Sequence, residues 1–212
     1  MISGGLFIFI QNYHMDLPYA AMRAVVENIS PVTEQDWQLM QSQLKYKVIK
    51  KGEHFVEAGK TYSAIGFVIK GLLRSYYVID GEEVNNGFFF EGQWPKAYHS
   101  FLTQAPSRLW IQALEDAELF LISYTHLQFL FRESKNWERF GRIATESLYV
   151  SSQLRAEMLL LDKPETRYLN LYRSQPQLFE RVPLYHIASY IGIKQPSLSR
   201  IRRRIATLKN GL

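Results

Sequence analysis

The hydrophobic periodicity of the chain changes near Ser123, and this change limits the folds that the sequence can adopt. From Tyr46 to Ile122, short apolar runs alternate with turn residues such as Lys70-Gly71 and Asp80-Gly81. Many short strands at this spacing are typical of an antiparallel sandwich or barrel. Asp80-Gly81 between two apolar runs is a strong hairpin signal, and a last pair of strands is predicted around Glu115-Asp116.

The segments before the first strand give two further predictions. The stretch "TEQDWQLMQSQL" is predicted to be a helix with Thr33 as its N-cap. The apolar run Leu6 to Ile10 predicts an extra strand or an ordered arm, because it is far shorter than the roughly 20 residues of a membrane span. No basic segment precedes this run, so a signal peptide is not expected and the protein is predicted to be cytoplasmic.

After Ser123 the apolar residues recur at spacings of three, four or seven, which predicts one long amphipathic helix over residues 135–161. The residues of this pattern are Phe140, Ile143, Ser147, Val150, Leu154 and Leu161. Such a helix either packs on the barrel alone or pairs with its copy in a second subunit, and its length favours pairing. A break is predicted at Leu161 to Pro164, where a hinge would precede the next helix, "PETRYLNLYRSQ".

The net positive excess of the chain lies entirely in its last 32 residues. The formal net charge is +5, yet residues 181–212 hold seven cations and no acid, while the first 180 residues hold 18 cations and 20 acids. A localised basic patch indicates a polyanionic partner, with nucleic acid the first candidate and anionic lipid the second. The ordinary alternative is a solvated basic helix end.

The spacing of the apolar residues within this basic segment predicts two crossed helices. Ala188 is small where the second helix must pass closely, and Gly192 permits a left-handed backbone at the turn. Pro196 falls in the first turn of the second helix, where its missing N–H costs nothing. The residues expected to face the shared core are Ile187, Ile191, Ile193, Leu198 and Ile201.

The side chains left on the outer face of the second helix suit DNA recognition. Arginine can bridge guanine O6 and N7, and glutamine can pair with adenine. Serine hydroxyls and helix N-terminal amides can hold phosphates. An ordinary helical hairpin would not need an acid-free arginine face. The outward residues are Gln195, Ser197, Ser199, Arg200, Arg203 and Arg204.

The segment "VPLYHIASYIGIKQPSLSRIRRRI" resembles the C-terminal winged helix-turn-helix of the cyclic AMP receptor protein/FNR (Crp/Fnr) family of bacterial transcription regulators, in the form seen in many Bacteroidetes members. The upstream "KKGEHFVEAGKTYSAIGFVIKGLLRSYYVIDGEEV" resembles the family's cyclic-nucleotide-binding-type β-barrel, with Gly52-Glu53, Gly59 and Gly71 at turn positions. The resemblance implies an α+β fold: this barrel, a double-stranded jelly roll, then a long dimerisation helix and a winged helix-turn-helix.

The resemblance also implies a division of the chain and a set of partners. The implied parts are an N-terminal extension (1–29), the barrel sensor domain (30–134), the dimerisation helix (135–161) and the helix-turn-helix domain (162–212). The expected partners are double-stranded DNA with a near-palindromic operator and a second copy of the chain, paired through 135–161. RNA polymerase and an unknown small-molecule effector are candidate partners, and no membrane is expected.

Residue roles in DNA binding are carried over by position or assigned by geometry. Gln195, Ser199 and Arg200 are the base-reading candidates. The phosphate candidates, by geometry, are Lys194, Ser197, Arg203 and Arg204. Little chain follows Leu208, so the family's wing hairpin is expected to be short, missing or supplied by other strands.

The barrel departs from the cyclic-AMP-binding members of the family at two positions. Their Gly-Glu pair, which holds the ribose, falls on Lys96-Ala97, and their phosphate-binding arginine falls on Ser107, with Arg108 one residue late. Cyclic nucleotide binding is therefore not expected. Another small ligand would use the candidate effector pocket, or its aromatic residues simply fill the barrel; a regulator without an effector is equally admissible. The pocket residues are Phe88, Phe90, Trp94, Tyr98, Arg108 and Trp110.

Catalytic and metal motifs are missing from the sequence. There is no cysteine, the five histidines are scattered, and no HExxH, Walker or GxSxG motif occurs. We therefore predict that the protein is not an enzyme and carries no cofactor or metal. The alternative function is a ligand-binding sensor whose basic tail contacts a protein or a membrane instead of DNA.

Overall fold

The computed structural model describes the backbone of residues 4–209 and the side chains of residues 17–205. The elements in chain order are α1 (Gly4–Ile29), α2 (Glu34–Gln41), β1 (Lys45–Ile49), β2 (His54–Val56), β3 (Ala64–Lys70), β4 (Leu73–Ile79), β5 (Glu82–Phe89), α3 (Tyr98–Thr103), β6 (Trp110–Ala113), β7 (Ala117–Ser123), α4 (Tyr124–Glu133), α5 (Lys135–Leu161), α6 (Pro164–Ser174), α7 (Leu178–Arg181), α8 (Leu184–Tyr190) and α9 (Gln195–Lys209).

The strands form two sheets with the orders β1-β7-β3 and β2-β6-β4-β5. Strand β7 runs antiparallel to both of its neighbours and pairs Phe120 with Tyr46 on one side and with Phe67 on the other. The predicted antiparallel sandwich and the α+β class are confirmed. The predicted pairing of the last two strands is wrong, because β6 and β7 lie in different sheets. At the turn between them, Asp116 accepts a hydrogen bond from Lys51 N at 2.9 Å, so this turn is held to the loop after β1.

Two local predictions from turn and cap chemistry are confirmed. The hairpin between β4 and β5 has positive φ at both turn residues, 52° at Asp80 and 79° at Gly81, as a type I′ turn requires. Thr33 is the N-cap of α2, and with Asp36 it forms a capping box.

The chain divides into two compact units, of which the first comprises Met1–Leu73 and Phe88–Ser147. Alternate residues of β7 point to opposite faces. Leu119 joins the core between the sheets with Phe55 and Ile111. Phe120 and Ile122 join a second core on the outer face of the three-stranded sheet. Because β7 is buried on both faces, the first unit has two apolar layers.

Helix α1 supplies part of the outer layer. Of the two alternatives for Leu6–Ile10, the extra strand is wrong because those residues belong to this helix. Met22 and Val26 are fully buried in the outer core, and the Tyr19 ring stacks on Phe120 with centroids 4.4 Å apart. Downstream of Leu6–Ile10, the apolar residues of α1 follow a helical spacing in the sequence. This spacing agrees with the observed helix.

Asp36 joins α2 to the start of α5 inside the first unit. It accepts hydrogen bonds from Ser134 Oγ at 2.5 Å and Asn136 Nδ2 at 2.7 Å, and its carbonyl accepts from Trp137 Nε1 at 2.9 Å. Burial alone would raise the pKa of Asp36, but the hydrogen bonds from Ser134, Asn136 and Thr33 outweigh it and lower the pKa to about 2.

The long helix predicted over 135–161 is confirmed as α5, while its role in dimerisation stays a prediction. Its first half packs in the outer core of the first unit through the buried residues Trp137 and Phe140. Its second half exposes apolar side chains, with Val150 54%, Leu154 60% and Leu161 77% exposed. The first half of α5 therefore packs within the first unit, as one of the two alternatives predicted. The second half leaves exposed the apolar face that the other alternative pairs with a second subunit.

The second unit comprises Arg74–Gly87 and Leu148–Leu212. It combines the outer part of the β4–β5 hairpin with the second half of α5 and the helices that follow. The predicted helix after the break is confirmed as α6, with Pro164 in its first turn. Among the described residues, none of the helices is both long and apolar enough to cross a lipid bilayer.

Candidate nucleic-acid interface

Helices α8 and α9 pack through the residues that the spacing assigned to a shared core. Ile187, Ala188, Ile191, Leu198 and Ile201 are all buried. Ile193 is only half-buried. The sequence prediction is thus confirmed for every core position but one, and α9 is held with a fixed face toward solvent.

The four-residue turn between these helices depends on Gly192. Its φ is +71°, and a Cβ there would lie 2.9 Å from Arg167 Nη1. Any other residue would strain the backbone and displace that arginine. The predicted left-handed turn at Gly192 is confirmed.

Two arginines that sequence reasoning missed hold the end of α8. Arg155 donates to the carbonyl of Tyr190 and lies over its ring, 3.7 Å from the centroid. Arg167 Nη1 donates to the carbonyl of Ile191 at 2.7 Å. Cations at the carbonyl end of a helix satisfy unpaired acceptors and oppose the helix dipole. The turn that positions α9 is therefore fixed from α5 and α6.

The DNA-binding candidates lie on α9 and on the residue immediately before it. Ser197 is half-buried, and Arg200 donates to its Oγ at 3.2 Å. Arg202, which was not among the candidates, is exposed on the same helix. The exposed candidates are Lys194, Gln195, Ser199, Arg200, Arg203 and Arg204.

Two of these cations form ion pairs that the sequence did not predict. Lys194 Nζ lies 2.8 and 2.5 Å from the two carboxylate oxygens of Glu82, which is the first residue of β5. Arg204 pairs with Glu165 of α6. Both pairs are largely exposed, so each is worth at most about 1 kcal/mol and can exchange for another anion.

A buried polar cluster fastens the β4–β5 hairpin to α8 within the second unit. Arg74, only 4% exposed, lies with Nη1 2.5 Å from Glu83 Oε2 and 3.0 Å from His186 Nδ1. Its guanidinium also lies over the Tyr76 ring, 4.1 Å from the centroid. Asn85 Nδ2 lies 3.2 Å from the same His186 nitrogen. An arginine inside the apolar run of β4 was the signal in the sequence for this cluster.

The protonation state of His186 follows from these contacts. Burial and the adjacent positive charge of Arg74 lower the pKa of His186 to about 4, and the Glu83 carboxylate opposes the shift only in part. His186 is therefore neutral at neutral pH. Because an arginine can only donate, Nδ1 is the unprotonated nitrogen that accepts.

Ser189 completes the contact by pairing with the backbone of β5. Its Oγ accepts from Asn85 N at 3.0 Å and donates to the carbonyl of Glu83 at 2.9 Å. Two backbone groups on the edge of the last strand of the four-stranded sheet are thus paired by α8. Helix α9 extends to Lys209, the last residue whose backbone the structure describes, so what forms the family's wing stays a prediction.

In the barrel, the positions of the family's ribose and phosphate groups carry no charge suited to them. Ala97 is 3% exposed, and Ser107, 4% exposed, bonds through Oγ to both N and O of Leu109. Arg108 is exposed beside them. Lys96 is half-buried and donates to the carbonyl of Trp94 at 3.3 Å, and burial lowers its pKa.

The aromatic members of the candidate effector pocket lie in different places. Trp94 packs against Phe67, with ring centroids 5.0 Å apart, and Tyr98 donates to or accepts from Thr145 Oγ1 at 2.8 Å, both in the outer core of the first unit. Trp110 contacts His54 with centroids 5.0 Å apart. Phe90 is buried, and Phe88 is half-buried. These aromatic candidates are therefore spread over different parts of the first unit, and a role for any of them in effector binding stays a prediction.

Residues 46–134 match the family model described as the cyclic nucleotide-binding domain. No curated protein matches the chain by sequence. Among the described side chains, no group of three or more histidine, cysteine or acidic residues could hold a metal ion. The family match thus covers the sandwich and α4, and ends just before α5.

Solved structures share the fold over most of the chain. The catabolite activator protein of Thermus thermophilus is 16% identical, with 84% of this chain and 85% of that chain covered and a TM-score of 0.54. FixK2 from Bradyrhizobium japonicum is 18% identical, with coverages of 78% and 86% and a TM-score of 0.63. The c-di-GMP responsive global regulator CLP of Xanthomonas campestris is 16% identical, with coverages of 82% and 92% and a TM-score of 0.65.

At these identities the likeness establishes the fold alone. The chain has the α+β fold of Crp/Fnr-type regulators, with a cyclic-nucleotide-binding-type sandwich followed by helices. The resemblance predicted from the two quoted segments is confirmed to that extent.

Proposed function

We propose that this protein is a DNA-binding transcription regulator of the Crp/Fnr type that acts as a homodimer on a near-palindromic operator. The observation that carries the proposal is the row of exposed cations on α9. The opposite face of α9 packs against α8 through buried apolar residues. A helix N-terminus with exposed Gln, Ser and Arg side chains has the chemistry that reads base edges and holds phosphates. A Bacteroidetes-like origin and a contact with RNA polymerase stay predictions.

The second half of α5 supports the homodimer proposal. Val150, Leu154 and Leu161 are three exposed apolar residues at helical spacing, and α5 is long enough to carry them along one face. A second copy of the same helix offers a matching apolar face. Such a dimer would present two α9 helices to half-sites about 34 Å apart, one turn of DNA.

The direct test selects bound sites from genomic DNA with the purified full chain, with and without cell-extract metabolites. Specific DNA binding should recover a near-palindromic motif, and the affinity for that motif should fall steeply as salt is raised. Binding to anionic vesicles without a preferred DNA sequence would support the alternative function, in which the basic tail contacts a membrane. Enrichment that depends on the extract would show that an effector is needed.

Base reading and phosphate binding on α9 should be separable by two matched substitutions. Arg200→Ala should cost about 1–3 kcal/mol at one base pair and relax the sequence preference there, because a bidentate guanine contact is lost. Arg203→Ala removes the same charge from the same exposed helix, and it should weaken binding to all sequences alike. Anisotropy titrations on operator and single-base variants measure both effects. A uniform loss in both variants would contradict the role assignment.

We propose further that any effector is not cyclic AMP. Ala97 and Ser107 occupy the positions of the ribose-binding and phosphate-binding groups and supply neither a carboxylate nor a guanidinium. Isothermal titration of the full chain with cyclic AMP should therefore show no saturable heat. The same preparation should still bind operator DNA, which controls for folding. Saturable binding in the micromolar range would show that another group, with Arg108 the nearest candidate, replaces the missing pair.

A further inference from the structure

The ion pair between Lys194 and Glu82 lies at the start of the proposed reading helix. Lys194 immediately precedes α9, and its carbonyl accepts from Ser197 N at 3.0 Å. Its ammonium contacts both carboxylate oxygens of Glu82, at 2.8 and 2.5 Å. The two side chains are 75% and 68% exposed, so the pair faces solvent on the surface where DNA would bind.

The position of Glu82 is set by the hairpin that carries it. The type I′ turn at Asp80-Gly81 ends one residue before Glu82. Farther along the same strand, Asn85 Nδ2 lies beside His186 Nδ1 of α8. The Ser189 Oγ of α8 bonds to the backbone of Glu83 and Asn85. The carboxylate of Glu82 is therefore presented to Lys194 by an anchored strand.

A DNA phosphate and the Glu82 carboxylate would compete for the same ammonium group. A lysine beside the first turn of a reading helix is well placed to contact the backbone of DNA. We infer that Glu82 is an autoinhibitory residue, which occupies Lys194 and must give it up to a phosphate when DNA binds. This inference rests on the proposed DNA-binding function.

The exposure of the pair sets the size of the effect. An exposed ion pair is weak and screened by salt, so Glu82 lowers DNA affinity without abolishing it. After the exchange, the freed carboxylate lies close to the phosphate and repels it, which adds to the cost. Movement of the hairpin away from α9 would release both terms together.

Glu82→Gln tests this inference because it removes the charge and keeps the shape of an exposed side chain. The variant should bind operator DNA about threefold to tenfold more tightly than wild type at moderate salt. Its slope of log affinity against log salt should steepen, by up to about 0.9, because the variant brings one more net positive charge to the DNA surface. Anisotropy titrations across a salt series measure both quantities.

Two controls separate the ion pair from general repulsion. Asp80 is exposed in the same hairpin turn and makes no ion pair within the described residues, so Asp80→Asn should change affinity much less than Glu82→Gln. In a Lys194→Gln background, Glu82→Gln should have a much smaller effect, because only the repulsion between the carboxylate and the phosphates remains to be removed. An equal gain from Asp80→Asn, or an undiminished gain without Lys194, would overturn the inference. Failure of wild type and every variant to bind duplex DNA would instead overturn the proposed function, and the inference with it.

Discussion

Replacing Arg74 with alanine is expected to destabilise the second unit strongly while leaving the stability of the first unit nearly unchanged. Arg74 is 4% exposed and bonds to Glu83 and His186. Removing one partner of a buried charged network costs about 3–5 kcal/mol, because the remaining polar groups lose their partners. The whole stability of a typical domain is only about 5–15 kcal/mol.

The tryptophans allow the two units to be followed separately. Trp37, Trp94, Trp110 and Trp137 are the only four in the chain and all belong to the first unit. In Arg74→Ala, urea unfolding by far-ultraviolet circular dichroism should show an early phase that tryptophan fluorescence does not follow. Arg132→Ala removes an exposed arginine and should change neither signal. A common shift of both signals in Arg74→Ala would contradict the assignment of the cluster to the second unit.

The same cluster should make the stability of the second unit depend on pH, because His186 is buried in its neutral form beside Arg74. The pKa of His186 is about 4 in the folded chain and 6.5 when unperturbed, so the unfolded chain binds more protons between these values. The contribution of His186 to the free energy of unfolding should therefore be complete above pH 6.5. It should fall, by up to about 3 kcal/mol, as the pH is lowered toward 4. Without the Arg74 charge the fall should be smaller.

Leu154→Glu is expected to separate the proposed dimer and reduce operator affinity at least about 100-fold, because a lone helix-turn-helix unit binds a single half-site without the avidity of two. Leu154 is 60% exposed in the open apolar face of α5, so the substitution should not disturb the fold of one chain. Light scattering coupled to size exclusion gives the mass, and anisotropy gives the affinity.

The matched control lies two residues along the same helix. Ala156 is exposed and is rotated by about 200° from Leu154. Ala156→Glu adds the same charge outside the proposed pairing face and should leave both mass and affinity close to wild type. A dimer that persists in Leu154→Glu with full DNA affinity would show that α5 does not hold the two copies together.

Local chemistry in the sequence predicted much of the fold. The cap at Thr33, the turn at Asp80-Gly81 and the glycine at the α8–α9 turn were each predicted from the backbone conformation that those residues favour. The burial pattern of α8 and α9 followed from helical spacing, which is a local property. The region of the chain that carries the proposed site could be predicted from the sequence for the same reason.

Features set by distant contacts could not be predicted. Spacing along the chain does not say which sheet a strand joins, so β6 and β7 were paired wrongly. The β-like run at Leu6–Ile10 lies in a helix whose later residues pack on β7. The contact of Glu82 with Lys194 joins residues 112 positions apart, and the sequence around each residue does not predict it.

The second unit is assembled from two separate stretches of the polypeptide, Arg74–Gly87 and Leu148–Leu212. A gene fragment that encodes only the C-terminal stretch would lack Arg74, Glu83 and Asn85, and would leave His186 and Ser189 of α8 without the partners that they have in the whole chain. The part of this protein that carries the proposed DNA-binding site is therefore not a continuous segment that recombination could transfer whole. Evolution of the proposed DNA-binding surface is tied to the evolution of a hairpin encoded about a hundred codons upstream.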